Sequence, residues 1–215
     1  MSRKVAGDGE AARLERLWSG DFGVAYADRN RVLNERRGLF WDRLLAEHPI
    51  TSVLEIGCGQ GANLKPIAQH LDPSDVWGID LGEVALGRAR VNAPGTNLVR
   101  AQARALPFRD RFVDLTLTCG VLIHQPEETL GAVIDELVRC SARFVLWIEY
   151  YAPVTEEVPY HGAPGSLFRR DYGRIFASRH PELRVVESGY HDREVDFDRA
   201  RWQLLERPSS TSGGG

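Results

Sequence analysis

Apolar positions along this chain switch repeatedly between two periods. Short runs in which they are continuous or alternate read as strands: TSVLEIGC (51–58), DVWGID (75–80), FVDLTLTCGVLI (112–123) and ARFVLWIEYYAP (142–153). TNLVRAQA (96–103) gives a weaker strand of the same kind. Between them stand ANLKPIAQHL (62–71), EVALGRARVNA (83–93) and PEETLGAVIDELVRCS (126–141), which predict helices. The last is the best signalled, with Pro126 and two acids at its start and Arg139 near its end. Pro66 is the awkward residue of the first. RRDYGRIFASRH (169–180) predicts another helix, and LRVVESGYH (183–191) and RWQLLERP (201–208) two final strands around the polar loop DREVDFD (192–198).

Strands alternating with helices imply a parallel sheet covered on both faces. The loop between the last two strands has no room for a helix, so they form an antiparallel hairpin at one edge. The expected fold is therefore α/β, a doubly wound, mostly parallel seven-stranded sheet with an antiparallel C-terminal hairpin. Before it lies a separate helical pattern, EAARLERLW (10–18) and DRNRVLNERRGLFWDRLLAEH (28–48). Within WSGDFGVAYADRN (18–30), Trp18, Phe22 and Tyr26 stand four apart and share a helical face, provided Gly20 and Gly23 leave the helix intact. Such a segment can close over a ligand as a lid, with Tyr26 as its polar contact. Residues 1–9 and PSSTSGGG (208–215) read as disordered tails. That leaves one domain over 10–207, with 10–48 as an N-terminal helical lid and 49–207 as the core.

Composition narrows the partners. With 215 residues, 43% apolar and 27% charged, the chain can bury an ordinary core. Its net charge of −3 and lack of a long Lys/Arg block leave nothing to grip nucleic acid or an anionic membrane. No apolar run reaches the length of a membrane span. The opening MSRKVAGDGEAARLERLW has no secretory h-region, so the expected location is cytoplasmic. Cys58, Cys119 and Cys140 are odd in number, widely spaced and set in apolar contexts, as buried thiols are. No metal-ligand cluster is evident, and metal-independent chemistry is expected.

The stretch VLEIGCGQGA (53–62) is a strand, a glycine turn and a helix start, placed where open α/β sheets bind ligands. Gly57, Gly59 and Ala62 even satisfy the dinucleotide fingerprint, with Asp80 at a suitable distance. Glu55 argues otherwise: it would repel a pyrophosphate and attract an ammonium. Asp80 can accept both ribose hydroxyls of an adenosine, which suits either ligand. ARALPFRDRFVDLTLTCGVLIHQ (103–125) then joins a Leu-Pro-Phe turn to an Asp-bearing strand.

As a set, ExGxGxG from Glu55 to Gly61, the strand-ending Asp80 and LPF…FVDL…GVLIH resemble the class I S-adenosylmethionine-dependent methyltransferases over residues 50–150. The resemblance implies a Rossmann-like methyltransferase fold with S-adenosyl-L-methionine as cofactor. It assigns Glu55, Gly57 and Gly59 to the methionine end, Asp80 to the ribose, Leu81 to the adenine face, Gln102 and Ala103 to the adenine edge, and Cys119 to the cofactor wall. Gln102 stands where the family commonly has Asp, and its amide oxygen can accept the same bond more weakly. A narrower resemblance, carried by LWSGDFGVAYADRN, GVLIHQPEETL and IEYYAPVTEEVPYHGAPGSLFRRDY, is to methylases associated with pseudaminic acid biosynthesis. It implies a sugar-like acceptor.

Methyl transfer needs an aligned nucleophile, exclusion of water and removal of a proton. His124, after the fourth strand, and Glu149, ending the fifth, are the candidate bases. Tyr150 and Tyr151 beside Glu149 can cradle a cationic or hydroxyl-rich small molecule. Tyr160, His161 and Arg169 lie on EEVPYHGAPGSLFRRD, which is rich in Pro and Gly and reads as an ordered loop leading into a helix, and where an arginine would favour a phosphate or carboxylate. An oxygen acceptor and an amine or guanidine acceptor are both open at this point. A non-catalytic S-adenosylmethionine-binding subunit is a third reading, disfavoured by the intact motif.

Overall fold

The computed structural model describes residues 9–29, 37–191 and 199–208. The two tails, apart from Gly9 and Pro208, the loop 192–198 and the stretch 30–36 of the expected helix 28–48 lie outside them. Three helices precede the sheet: α1 (Glu10–Ser19), α2 (Asp21–Arg29) and α3 (Arg37–Glu47). The sheet then runs through β1 (Val53–Ile56), β2 (Val76–Asp80), β3 (Asn97–Arg100), β4 (Val113–Cys119) and β5 (Ser141–Glu149), all parallel. Helices α4 (Leu64–Ile67), α5 (Glu83–Asn92) and α6 (Glu127–Cys140) connect them.

After β5 comes a short hairpin of β6 (Glu156–Glu157) and β7 (Phe168–Arg169), then α7 (Tyr172–Arg179), β8 (Arg184–His191) and β9 (Ala200–Glu206). The main sheet has the order β3-β2-β1-β4-β5-β9-β8, with β9 antiparallel to both neighbours. This is the expected doubly wound sheet with its antiparallel hairpin at one edge.

Strand alternation builds two cores. Phe144, Leu146 and Ile148 of β5 face α3, α4 and α5, whereas Val145 and Trp147 face α6 and α7. The winding reverses between β1 and β4, so their carboxyl ends open a crevice.

Four local expectations need correction. The fourth strand ends at Cys119, because Gly120 turns the chain with φ 68° and Leu122–His124 form a short 3₁₀ turn. His124 therefore stands at the end of that turn, not directly at the strand end. The helix over 62–71 is regular only through Leu64–Ile67, with Pro66 tolerated in its first turn. The segment 156–170, read as a loop, pairs Glu156 with Arg169 and Glu157 with Phe168; Asp171 then caps α7 by accepting from the Arg174 amide at 3.1 Å.

Lastly, Gly20 breaks the N-terminal segment into two helices. Trp18, Phe22 and Tyr26 still meet, since the Trp18 ring packs edge-on against both others at 5.3 Å. Gly23 makes this crossing possible, because a Cβ there would lie 1.9 Å from the Trp18 carbonyl oxygen.

Gly23→Ala must therefore push α2 off α1 and is expected to cost about 1–3 kcal/mol in urea unfolding. Gly87→Ala, in open space on α5, is the matched control and should gain up to about 1 kcal/mol.

Candidate active site

β1 delivers the chain into a left-handed turn at Gly57, φ 72°, where a Cβ would lie 2.3 Å from Val121 Cγ2. The amides of Gly57 and Cys58 both donate to the Ile79 carbonyl at 2.8 Å. The Gly59 amide donates to Asp80 Oδ2 at 2.9 Å, and the Gly82 amide to Asp80 Oδ1 at 2.7 Å. The glycine turn is thus pinned to the end of β2, above a cavity of about 360 Å³. Burial raises the Asp80 carboxyl pKa while these amides pull it back. Each oxygen keeps a lone pair for a further donor.

Glu55 is buried in the wall of this cavity. Its Oε1 accepts from Asn63 Nδ2 at 2.6 Å, and its Oε2 has no hydrogen-bond partner. Burial pushes the group up to about 8, against the pull of the Asn63 amide and the Arg37 guanidinium. Asn63 Oδ1 in turn accepts from Trp41 Nε1 and Arg37 Nη1, each at 3.3 Å. A buried carboxylate oxygen without a donor is costly and suits a ligand that brings an ammonium. Cys119 lines the same wall, and burial lifts its thiol to about 12; all three cysteines are unpaired.

The N-terminal helices and the segment after β6 cover the cavity. Trp18 and Tyr26 face into it, and α2 is tied down by Gln60 Nε2 donating to the Ala27 carbonyl at 2.9 Å. Arg13 of α1 donates to the carbonyls of Pro164 and Gly165 at 3.0 and 3.2 Å. His124 is buried between the Trp18 ring at 4.3 Å and the Tyr160 ring at 5.3 Å. Its Nδ1 lies 2.5 Å from the Ser166 carbonyl oxygen. A carbonyl only accepts, so Nδ1 carries the proton and Nε2 holds the free lone pair. Burial holds the imidazole down to about 4, hence neutral near pH 7.

Of the sequence-predicted residues, Glu55, Gly57, Gly59, Asp80, Leu81 and Ala103 line this cavity. So do Cys119, His124, Tyr26, Tyr150 and Tyr160. The other five lie off its wall. Gln102 turns its amide to Glu15 Oε2 at 3.0 Å, drawn by α1. Glu149 accepts from the amides of Val121, Leu122 and Ile123 at 3.1, 3.1 and 3.3 Å, so its carboxylate is committed to the turn after β4; burial raises it to about 7. Tyr151 is exposed under the Arg201 guanidinium, His161 is exposed at φ 46°, and Arg169 is exposed on β7.

Asn63, Arg37 and Gln60 line the cavity without having been expected there. Asn63 had a faint signal as the residue opening α4, whereas Arg37 had none. Glu47, His48 and Glu187 converge outside the cavity, with Arg43 paired to both carboxylates.

Comparison with known proteins matches residues 53–143 to a family model described as a methyltransferase domain. An uncharacterised methyltransferase of Synechocystis sp. is 32% identical over 134 residues, covering 60% of this chain and 62% of that one. A phthiotriol/phenolphthiotriol dimycocerosates methyltransferase of Mycobacterium ulcerans is 37% identical over 67 residues, 30% of this chain and 25% of that one. The chain thus spans less than two thirds of these curated relatives. Magnesium protoporphyrin IX methyltransferase from Synechocystis, solved with S-adenosylmethionine bound, superposes with TM-score 0.69 at 17% identity, covering 94% of this chain and 99% of that one. The fold is the Rossmann-like methyltransferase fold. An amino pentose methyltransferase from Micromonospora echinaspora shares it, with TM-score 0.62 at 18% identity over 88% and 97% of the two chains. Among the described residues, no helix is long and apolar enough to cross a membrane.

Burial of the carboxylates has a pH signature. Glu55 and Glu149 hold their protons to about 8 and about 7 in the fold, against an ordinary 4.5. The folded protein then binds more protons than the unfolded chain, so ligand-free stability falls as pH rises through that window. Below pH 7 the buried His124 and His191, both held near 4, add the opposite slope. Between about pH 7 and 8 the fall belongs mainly to Glu55, and Glu55→Gln should flatten it. Urea midpoints from pH 6 to 9 test this, and an unchanged slope in the variant would refute it.

Proposed function

We propose that this chain is an S-adenosylmethionine-dependent methyltransferase that methylates an oxygen of a small molecule. The observation that carries the reading is the unpartnered Oε2 of buried Glu55 beside a glycine turn pinned to Asp80. Glu55 holds the ammonium of the cofactor, Asp80 accepts its ribose hydroxyls, and Leu81 and Ala103 flank the adenine. The bound cofactor supplies a methyl group on an electron-poor sulfur. Helices α1 and α2, with Trp18 and Tyr26, exclude water over it. His124 is the general base: its Nε2 takes the proton from the acceptor hydroxyl as oxygen attacks. The domain spans residues 10–207, closed by 10–48, and works in the cytoplasm.

Oxygen is favoured over nitrogen because Glu149, the carboxylate that would orient a cationic amine, is occupied by three backbone amides. A hydroxyl sugar is the acceptor favoured by the pseudaminic-type sequence resemblance. N-methylation of an amine or guanidine is the second reading, supported by the aromatic walls Trp18, Tyr26 and Tyr160.

Calorimetric titration with S-adenosylmethionine, S-adenosylhomocysteine and NAD tests the cofactor. Micromolar binding of both adenosyl ligands is expected, lost in Asp80→Ala; binding of NAD alone would overturn the reading. Once an acceptor is found, His124→Gln should lower kcat by about 10²–10⁴-fold with cofactor affinity kept.

A further inference from the structure

Three consecutive carbonyls between β6 and β7 are divided between two distant partners. Arg13 Nη2, from α1, donates to the carbonyls of Pro164 and Gly165 at 3.0 and 3.2 Å. The next carbonyl, that of Ser166, faces His124 Nδ1 at 2.5 Å. The run that carries them is braced from within: the Gly165 amide donates to Glu157 Oε1 at 2.6 Å, and Ser166 Oγ donates to the Ala163 carbonyl at 2.7 Å. Ser166 is fully buried, so its carbonyl has no solvent alternative to the imidazole. On the other side, Arg13 donates to Glu10 through both Nε, at 2.8 Å to Oε2, and Nη2, to Oε1, which fixes the plane of the guanidinium. The contact is close. At Gly165, φ 64°, a Cβ would lie 3.0 Å from Glu10 Oε1 and 3.2 Å from Arg13 Nη2.

The bond at Nδ1 decides which ring nitrogen of His124 is basic. In water a neutral histidine ring favours the proton on Nε2, and a carbonyl at Nδ1 reverses that order. Burial and the Ser166 carbonyl are what act on this ring, and neither a carboxylate nor a guanidinium joins them. Its tautomer therefore depends on one backbone oxygen, in a run fastened to α1 through Arg13.

We infer that Arg13 is a positioning residue for His124: seated on the carbonyls of Pro164 and Gly165, it holds the Ser166 carbonyl on Nδ1, so that Nε2 presents a lone pair only while α1 is closed. The inference builds on His124 as the proposed base. It adds a coupling, because Trp18 of the same helix packs on the imidazole at 4.3 Å. One movement of α1 then both shuts water out and sets the base, and an open site holds His124 with its proton on the wrong nitrogen.

Proton–nitrogen correlation NMR of the imidazoles in the full chain, at about pH 7.5, tests this without any acceptor. Burial holds the ring to about 4, so it is neutral there and its signals report the tautomer alone. The signals lost in His124→Gln assign it. The wild type should show the Nδ1–H form, and Arg13→Met should shift the tautomer ratio about 5–10-fold toward Nε2–H. Gly165→Ala crowds the same contact from the other side and should shift it in the same direction, so the test does not depend on one variant folding. Arg88→Met instead frees α2 from Asp28 and should leave the tautomer unmoved, which separates the Arg13 contact from general loosening of the cover. An unmoved tautomer in whichever of Arg13→Met and Gly165→Ala folds, or an equal shift in Arg88→Met, would overturn the role of Arg13 and leave the base assignment standing. A wild type already in the Nε2–H form would overturn both. Undiminished kcat in His124→Gln, once an acceptor is found, would remove the base but not the tautomer control.

Discussion

Three backbone amides pointing at one buried carboxylate hold the floor of the cavity in shape. Glu149 ends β5 with its side chain fully enclosed and accepts from Val121, Leu122 and Ile123. Taking a carboxylate out of water is expensive, and only several charge-assisted bonds offset it. Those bonds fix the chain just after β4, which places Val121 against Gly57 and sets His124 at the end of the same turn. The Gly57–Val121 contact leaves no room for a Cβ, so the first glycine is required by packing as well as by its backbone conformation. Cofactor turn and candidate base are thereby positioned from one interior point.

A second constraint comes from above. α1 and α2 touch the core through Gln60 with Ala27, Arg88 with Asp28, and Arg13 with the carbonyls of Pro164 and Gly165. These are mostly exposed or half-exposed polar contacts, individually weak. The aromatic group of Trp18, Tyr26, His124 and Tyr160 lies beneath them, where burial rather than charge supplies the adhesion.

Much of this was legible in the sequence, for physical reasons that also mark where legibility stopped. The strands, their order of winding and the glycine turn declare themselves through local periodicity and a short motif. The end of β4 does not, because Gly120 interrupts an apolar run without changing its period. Glu149 stands where a charged residue demands an explanation, yet that explanation is a fold of backbone around it, invisible to side-chain patterns. Gln102 turns toward Glu15, a residue far away in sequence whose approach only the tertiary structure brings about. The β6–β7 pairing is two residues long, too short for any period. Trp18, Phe22 and Tyr26 meet as their spacing suggested, though across a helix break at Gly20 and not along one helix face.

On the proposed reading, the placement of charge divides the cavity by task. Glu55 and Asp80 are both matched to groups of the cofactor, which leaves the acceptor side to His124, Gln125, Tyr150, Tyr160 and apolar neighbours. A neutral imidazole there has a consequence. Because the Ser166 carbonyl fixes the Nδ1 proton and burial keeps the ring uncharged, the base presents a lone pair without placing a cation beside the positively charged sulfur. In a low-dielectric pocket two such cations would repel strongly. His124 would gain a proton at Nε2 only from an acceptor hydroxyl that is being methylated, so it would become a cation no earlier than the transfer itself. Burial that weakens His124 as a base in the resting protein therefore also keeps it compatible with the cofactor, and the two charges need never coexist.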